Sequence, residues 1–111
     1  MSEQKFFAQP DETGWTELGP GNTRRVLIHT PELMQVEFGF EADAVGALHS
    51  HPHVQVSYVA DGSFEVTIDG NTEVVRQGGS FIVSSGLVHG VRALEKGRLI
   101  DVFTPMRDDF V

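Results

Sequence analysis

Hydrophobic and polar residues alternate with a period of two along most of the chain, which is typical of half-buried β-strands rather than of amphipathic helices. The clearest case is residues 34–41, where Met34, Val36, Phe38 and Phe40 occupy every second position. Similar short runs recur up to residue 104, separated by Gly, Asp and Ser residues that favour turns. The pattern predicts about ten short strands and therefore an all-β sandwich or barrel. A parallel α/β fold would need crossover helices, for which the chain has no room.

Turn signals divide this pattern into individual strands. The predicted strands cover residues 23–29, 34–41, 46–51, 55–60, 63–68, 72–76, 80–83, 88–93 and 98–104. The dipeptides Asp61-Gly62 and Asp69-Gly70 each predict a tight β-hairpin. Helical turns are expected only at residues 31–33 and 107–110.

The length of 111 residues predicts a single domain. Glycines and prolines interrupt residues 1–21, which we expect to form an irregular N-terminal arm, while residues 22–111 form the β-barrel domain. Phe6, Phe7 and Trp15 are too apolar for a loose tail, so we expect them to pack on the barrel or on a partner subunit. Together with the open strand edges of a small barrel, they favour a homodimer.

Composition excludes several classes of function. The chain has no cysteine, which rules out disulfides, thiolate metal sites and cysteine nucleophiles, and agrees with the reducing cytoplasm in which we expect the protein. A net charge of -8 opposes binding to nucleic acid or to anionic membranes. It does not oppose a small anionic substrate, because a bound cation and one Arg can reverse the local field. We expect neither a signal peptide in residues 1–9 nor a membrane span.

Candidate chemistry is concentrated in residues 49–55, which contain His49, His51, His53 and Gln55. In an extended strand His49 and His51 point to the same side, and two neutral imidazoles on one side can share a metal ion. An amide oxygen such as that of Gln55 can fill another position, and His89 is the candidate for a fourth. Two His at this spacing favour a metal only slightly by themselves. Strand parity would also put His53 on this face, but Pro52 is expected to turn the chain, which makes His53 a residue of the pocket rim.

The last predicted strand carries Asp101 and Phe103 on one face, and Ile100 and Val102 on the other. Either the aliphatic pair faces the core and Asp101 is in solvent, or Asp101 and Phe103 enter the mouth of the barrel. In the second case the Asp101 carboxylate can act as a general base on a substrate hydroxyl. Arg107 either binds a substrate carboxylate through paired hydrogen bonds or is a solvated residue of an acidic tail. The sequence leaves both choices open.

The spacing of these residues resembles the two sequence motifs of the cupins, which are small β-barrel proteins. In the first motif His49 and His51 form the pair, Gln55 stands at the acidic position and Gly62 is the closing Gly. In the second motif Gly78, Gly86 and His89 fit. Two positions depart from the pattern, where Asp43 replaces the opening Gly and Ser84 replaces the Pro. The resemblance implies a single-domain double-stranded β-helix, or jelly roll.

A narrower resemblance is to the KdgF family of pectin-degradation cupins. It rests on His-Ser-His-Pro-His-x-Gln at residues 49–55, on the Val-x-Ile-Asp-Gly that follows, and on the ending at residues 101–110. The resemblance implies a metal site and a catalytic group, with His49, His51, Gln55 and His89 as ligands and Asp101, Phe103 and Arg107 as catalytic residues. The implied substrates are sugar acids, the unsaturated monouronates released by pectin and alginate lyases. Their cyclic 4,5-unsaturated form would be converted to the linear keto form.

A ligand set of three imidazoles and one amide carries no negative charge. A divalent ion held by it keeps its full charge, which makes it a strong Lewis acid for carboxylate or enolate oxygens. We expect a divalent transition metal, namely Ni, Zn, Fe, Mn or Cu. The two-His-one-carboxylate site of oxygen-activating iron is absent, which argues weakly against a dioxygenase. Two alternatives remain open: another metal-dependent cupin enzyme, such as a dioxygenase or an isomerase, and a non-catalytic cupin that binds a small carboxylate or sugar.

Overall fold

Within the described residues 4–111, the alternating segments form ten strands in two antiparallel sheets that pack face to face. The structure is a computed structural model that describes residues 4–111. The strands are β1 (Thr16–Gly19), β2 (Asn22–Thr30), β3 (Leu33–Phe40), β4 (Val45–His49), β5 (Val54–Asp61), β6 (Ser63–Ile68), β7 (Asn71–Arg76), β8 (Ser80–Val83), β9 (His89–Ala93) and β10 (Gly97–Thr104). One sheet has the strand order β1-β2-β3-β10-β5-β8 and the other has the order β4-β9-β6-β7. The prediction of an all-β single domain is confirmed.

The core lies between the two sheets and is built from the inward positions of the alternating pattern. Phe40 and Val59 of the six-stranded sheet meet Phe64 and Val66 of the four-stranded sheet. The rings of Phe40 and Phe64 pack edge to face with centroids 5.2 Å apart. Each such side chain contributes about 1.5–3 kcal/mol when it leaves water, which makes this layer the main stabilising contact between the sheets.

A second apolar cluster fixes the C-terminal tail across one end of the barrel. Met34, Val36 and Phe103 are buried here, and Met106 and Phe110 of the tail pack against them. The tail ends in a 3₁₀ turn at Asp108–Phe110, which confirms the helical turn predicted there. This cluster places residues 107–110 beside the cavity described below.

Two local predictions are confirmed in detail. Met34 and Val36 have no exposed surface and Phe40 is 7% exposed, as the alternation in residues 34–41 predicted. Asp69-Gly70 closes the hairpin of β6 and β7, and both residues have positive φ angles of 50° and 79°. Asp and Gly tolerate this left-handed conformation better than most residues, which explains the turn.

The hairpin predicted at Asp61-Gly62 is wrong. β5 pairs with β10 and β8, whereas β6 pairs with β7 and β9, so the dipeptide is a corner where the chain crosses from one sheet to the other. Gly62 is required there because its φ is +79° and a Cβ would lie 2.6 Å from the carbonyl oxygen of Lys96. A turn dipeptide specifies a sharp local bend, but long-range pairing decides whether the flanking strands meet.

Three further element boundaries differ from the prediction. The strand expected at residues 46–51 ends at His49, so His51 lies in the following loop. Pro31 and Glu32 form the turn between β2 and β3, and Leu33 begins β3, so no helical turn occurs at residues 31–33. A 3₁₀ turn that the pattern did not predict occurs at Pro10–Glu12. Within residues 4–111, no helical segment has the length and apolar character that crossing a bilayer requires.

The N-terminal segment is partly ordered onto the six-stranded sheet. Residues 1–3 of the predicted arm lie outside the described residues. Thr16–Gly19 pairs with β2 as an edge strand, so the arm is less irregular than predicted. Trp15 stacks on the Arg25 guanidinium, with 4.7 Å from Cζ to the ring centroid. Phe6 and Phe7 are 74% and 81% exposed and therefore do not pack on the barrel of their own chain. Treating residues 1–21 as a separate arm stays a prediction.

Candidate metal centre

Three histidine side chains converge at the open end of the barrel. His49 ends β4 and lies directly opposite His89, the first residue of β9, in the antiparallel register. His51 reaches the same point from the loop after β4. The atoms of these three residues that can bind a metal all lie within 4.8 Å of one another. The structure thus brings together His49, His51 and His89, and His53 does not belong to this group.

Backbone carbonyls set the tautomer of two of the three converging imidazoles. The Nδ1 atoms lie at hydrogen-bond distance from carbonyl oxygens, 2.8 Å for His49 and Ala47, 3.1 Å for His51 and His53, and 2.9 Å for His89 and Leu87. A carbonyl oxygen only accepts, so in His49 and His89 Nδ1 donates a proton and Nε2 keeps a lone pair. This is the arrangement in which histidine binds metals through Nε2. In His51 both ring nitrogens face an acceptor, because Nε2 also lies 3.0 Å from the amide oxygen of Gln55.

Burial keeps two of these imidazoles neutral. His51 is 8% exposed and His89 is 3% exposed, and burial lowers the pKa of both below the ordinary histidine value. The Nε2 atom of His89 is buried and has no hydrogen-bond partner among residues 4–111. An unpaired buried lone pair is costly unless something binds it. Three neutral imidazole donors suit a divalent transition metal, so the residues fit the group that the sequence predicted.

Gln55 directs its amide oxygen at the same point. Its Nε2 donates to Ser57 Oγ at 3.0 Å and to Asp101 Oδ2 at 3.2 Å, so its Oε1 is turned toward His51, 3.0 Å from Nε2. When His51 donates from Nδ1, the facing atoms of Gln55 and His51 both carry lone pairs, and these repel each other unless a cation is bound between them. Gln55 thus presents an amide oxygen beside the three converging imidazoles.

Asp101 lies next to this donor set on the inner face of β10. It is 5% exposed, and its Oδ1 atom has no hydrogen-bond partner within the part of the chain that the structure describes. Burial raises the pKa of Asp101 to about 7, and the Ser57 hydroxyl and the charge of Arg107 offset part of this effect. A carboxyl group with this pKa exchanges its proton readily near neutral pH, which suits a general acid–base role.

Phe103 is buried on the same inner face and closes one wall of the site. Its ring contacts that of His51, with centroids 5.7 Å apart, and the Cζ of Arg107 lies 5.1 Å from its centroid. Of the two orientations left open for the last strand, the structure has Asp101 and Phe103 inside and Ile100 and Val102 on the outer face. His53 packs against both His51 and Phe103 at the rim.

These groups surround one cavity of about 230 Å³. Its polar lining consists of Asn22, His49, Gln55, His89, Asp101 and Arg107. Its apolar side chains come from both sheets and the tail: Leu18, Phe38, Phe40, Phe81, Val91, Leu99, Phe103 and Phe110. The volume suits a small molecule, and the guanidinium of Arg107 in the lining suits an acidic one.

Sequence reasoning missed Ser57, which holds the Gln55 amide, and the tail residue Phe110, which lines the cavity. Ser57 carried a signal, because it is a polar residue on the inner face of a strand whose other inward residues include Val59. Phe110 carried none, because the tail has no periodicity that shows which way a side chain points.

Comparison with known proteins agrees with this architecture. The family model of the cupin domain matches residues 36–103. The pectin degradation protein KdgF of Dickeya dadantii (strain 3937) is 43% identical over 110 residues, which cover 97% of this chain and 99% of that protein. The solved structure of KdgF from Halomonas sp. is 37% identical, covers 97% of this chain and 100% of its own, and has a TM-score of 0.92. An RmlC-like cupin from Shewanella frigidimarina NCIMB 400 is 40% identical over 100% of both chains, with a TM-score of 0.93.

Proposed function

Since this chain belongs to the cupin family and is a KdgF-like member of it, we propose that it converts 4,5-unsaturated monouronates from pectin or alginate breakdown to their linear keto forms, with a divalent metal as cofactor. One observation carries the proposal: the imidazoles of His49, His51 and His89 converge beside one small cavity, which a buried carboxyl group with a pKa of about 7 also lines. The 43% identity to a pectin degradation protein supports the substrate class.

The metal would be held by His49, His51, Gln55 and His89, whose donor atoms are all uncharged. A divalent ion there would supply Lewis-acid chemistry towards an anionic substrate. Nitrogen and amide-oxygen donors are compatible with Ni, Zn, Fe, Mn or Cu, so metal analysis of the purified protein must identify the ion.

Asp101 would move the proton that the reaction requires. The reaction is an isomerisation, in which the bond between the ring oxygen and the anomeric carbon breaks and an aldehyde and an enol form. The enol then becomes a ketone when a carbon gains a proton and the enol oxygen loses one. A carboxylate beside the sugar can accept the hydroxyl proton and return it to carbon, and the pKa of about 7 makes both steps accessible. The hydrogen bond from Gln55 fixes the position of Asp101.

Arg107 and Phe103 would position the substrate. The guanidinium of Arg107 lies at the mouth of the cavity, where it can bind the uronate carboxylate through two parallel hydrogen bonds. Phe103 is 2% exposed and offers an apolar wall that limits the access of water to the sugar ring. Both residues hold the sugar in one orientation relative to Asp101, which lowers the entropic part of the barrier.

The proposal includes a homodimer formed through the outer face of the six-stranded sheet. Val54, Val56, Tyr58 and Ile82 are 39%, 42%, 48% and 66% exposed on adjacent strands, and Val102 lies directly beside Val56. This patch carries no charge on a chain whose net charge is -8, so two copies can approach each other here without repulsion.

We expect a dimer in sedimentation velocity for the wild type and a monomer for Val56→Glu/Ile82→Glu. Val74→Glu, on the other sheet, should remain dimeric, and a wild-type monomer would refute the patch. A cytoplasmic location also stays a prediction.

An ultraviolet assay tests the proposed reaction. The protein is mixed with an unsaturated galacturonate and an unsaturated mannuronate, and the loss of double-bond absorbance is followed against the spontaneous rate. We expect an acceleration that a chelator abolishes and that added metal restores. Asp101→Asn should lose most of the acceleration while its metal content stays at the wild-type level.

Other results would replace the proposal. No acceleration with metal demonstrably bound would remove the uronate reaction. Oxygen uptake with an aromatic or diketone substrate would then indicate a dioxygenase, and tight binding of a sugar acid without turnover would indicate a binding protein.

A further inference from the structure

Arg107 already binds a carboxylate in the folded chain. Its Nε and terminal guanidinium nitrogen donate to the two carboxylate oxygens of Asp109, at 3.1 and 2.9 Å. This is the paired geometry with which an Arg binds the carboxylate of a ligand. The side chain of Arg107 is 12% exposed and that of Asp109 is 58% exposed, so the Asp109 carboxylate approaches the guanidinium from the solvent side of the cavity mouth.

A second guanidinium packs against Phe110, a residue that lines the cavity. Arg24 is opposite Phe38 in the register of β2 and β3, so it is on the inner face of the sheet together with a residue that lines the cavity. The Cζ of Arg24 lies 4.0 Å from the ring centroid of Phe110, and that of Arg107 lies 4.2 Å from the same centroid. Both guanidinium groups therefore make cation–π contacts with the phenyl ring of Phe110.

Arg24 has no carboxylate of its own among residues 4–111. It makes no hydrogen bond and no ion pair there, whereas Arg25, Arg92 and Arg98 are each paired. Burial lowers the pKa of Arg24, the charge of Asp109 raises it, and the charge of Arg107 lowers it. Two cations thus lie close together at the entrance with one carboxylate near both, an arrangement that a further or better-placed anion would stabilise.

We propose that the substrate carboxylate binds between Arg24 and Arg107 and displaces the carboxylate of Asp109, which is a built-in competitor for this anion site. The inference rests on the proposed acidic substrate, for which it assigns a second binding residue and an internal competitor. Displacement is feasible because the Asp109 side chain is 58% exposed and returns to water, while the incoming carboxylate keeps the largely buried Arg107 paired. On a chain with a net charge of -8, two guanidiniums also supply the local positive field that an anion needs.

Kinetics with an unsaturated galacturonate tests both residues. Asp109→Asn should lower KM by about fivefold, because the competing carboxylate is gone. Asp108→Asn is the matched control: it makes the same charge change in the same 3₁₀ turn, has no ion pair in the described chain, and should leave KM unchanged.

Arg24→Gln should raise KM at least about fivefold, with a smaller effect on kcat, and Arg24→Lys should recover part of the loss. Arg76→Gln, which removes a surface charge from β7, controls for net charge.

Equal KM values for Asp109→Asn and Asp108→Asn would overturn the competitor role, and equal values for Arg24→Gln and Arg76→Gln would overturn the second binding residue. A binding measurement separates these failures from failure of the proposed reaction. Saturated galacturonate and galactose, which differ in the carboxylate, are titrated into each variant by calorimetry. We expect galacturonate to bind more tightly to Asp109→Asn and more weakly to Arg24→Gln, with galactose unaffected, even if no variant turns over a uronate. Galacturonate affinities that do not change would refute the anion site.

Discussion

The side-chain amide of Gln55 donates a hydrogen bond of 3.2 Å to the carboxylate of Asp101. The contact joins the candidate metal centre to the candidate proton-transfer group, because the other end of the same amide faces His51. A single residue therefore fixes the spacing between the two halves of the site. A carboxylate at position 55, as in the usual cupin motif, would lack the donor that this contact requires.

Gln55→Glu should retain metal but lose activity. The new carboxylate adds a negative charge to the donor set, which favours metal binding, but it removes the hydrogen-bond donor and repels the Asp101 carboxylate. We expect the rate in the ultraviolet assay to fall at least about tenfold, as is usual when a group that orients a metal site is changed. Gln77→Glu makes the same chemical change in an exposed turn and should be neutral. Wild-type activity of Gln55→Glu would show that the contact has no role in the reaction.

His89→Ala should lose the bound metal, whereas His53→Gln should keep it. His89 supplies a buried Nε2 with no partner in the described residues, while His53 lies outside the converging group. His53 contacts the ligand His51 Nδ1 through its backbone carbonyl, and a change of the His53 side chain preserves that contact. Metal content is measured by mass spectrometry after dialysis against the metal. Loss of metal from His53→Gln with retention in His89→Ala would reverse the assignment.

The contribution of Asp101 to the stability of the metal-free protein should fall as the pH rises from about 4 to about 7. Burial raises the pKa of Asp101 from 3.8 to about 7, so below the lower value the carboxyl group is protonated in both the folded and the unfolded chain and this contribution has its full size. Between these values only the unfolded chain releases the proton. The contribution of Asp101 to the free energy of unfolding then falls by about 1.4 kcal/mol per pH unit, on the order of 4 kcal/mol in total, and levels off above the folded pKa.

Asp101→Asn provides the control for this pH dependence, because the amide does not titrate. Urea unfolding of chelator-treated protein is measured for both forms at several pH values. The difference in the free energy of unfolding between the wild type and the variant should shrink across the window and change sign in favour of the variant. Parallel curves would show that the Asp101 carboxyl group is not buried as described.

Glu37→Ala should destabilise the fold by about 3 kcal/mol. Glu37 is buried on the outer face of β3 and accepts hydrogen bonds from Arg25 at 2.8 Å and from Arg98 at 2.7 Å. Removing it leaves the Arg25 guanidinium, which is 17% exposed, without its carboxylate. Glu65→Ala removes a carboxylate that is 42% exposed from its pair with Arg92 and should cost less than about 1 kcal/mol. Equal midpoints for the two variants in urea would contradict this difference.

Much of the fold could be read from residue patterns because the signals are local. The alternation in residues 34–41 and the left-handed turn at Asp69-Gly70 depend on neighbours in the chain, and both are confirmed. Strand parity selected His49 and His51, and the family resemblance implied the full ligand set with Gln55 and His89. Parity alone gave the wrong reason for His51, which lies in a loop after β4 and not in the strand.

Long-range packing decided the rest. Nothing near Asp61-Gly62 shows that β5 and β6 join different sheets, because this depends on which distant strands pair with each of them. Likewise, Asp101 points inward and has a raised pKa because the strands on both sides of β10 bury it. Alternation along a strand determines which residues share a face, and only the packing of the two sheets determines which face is buried.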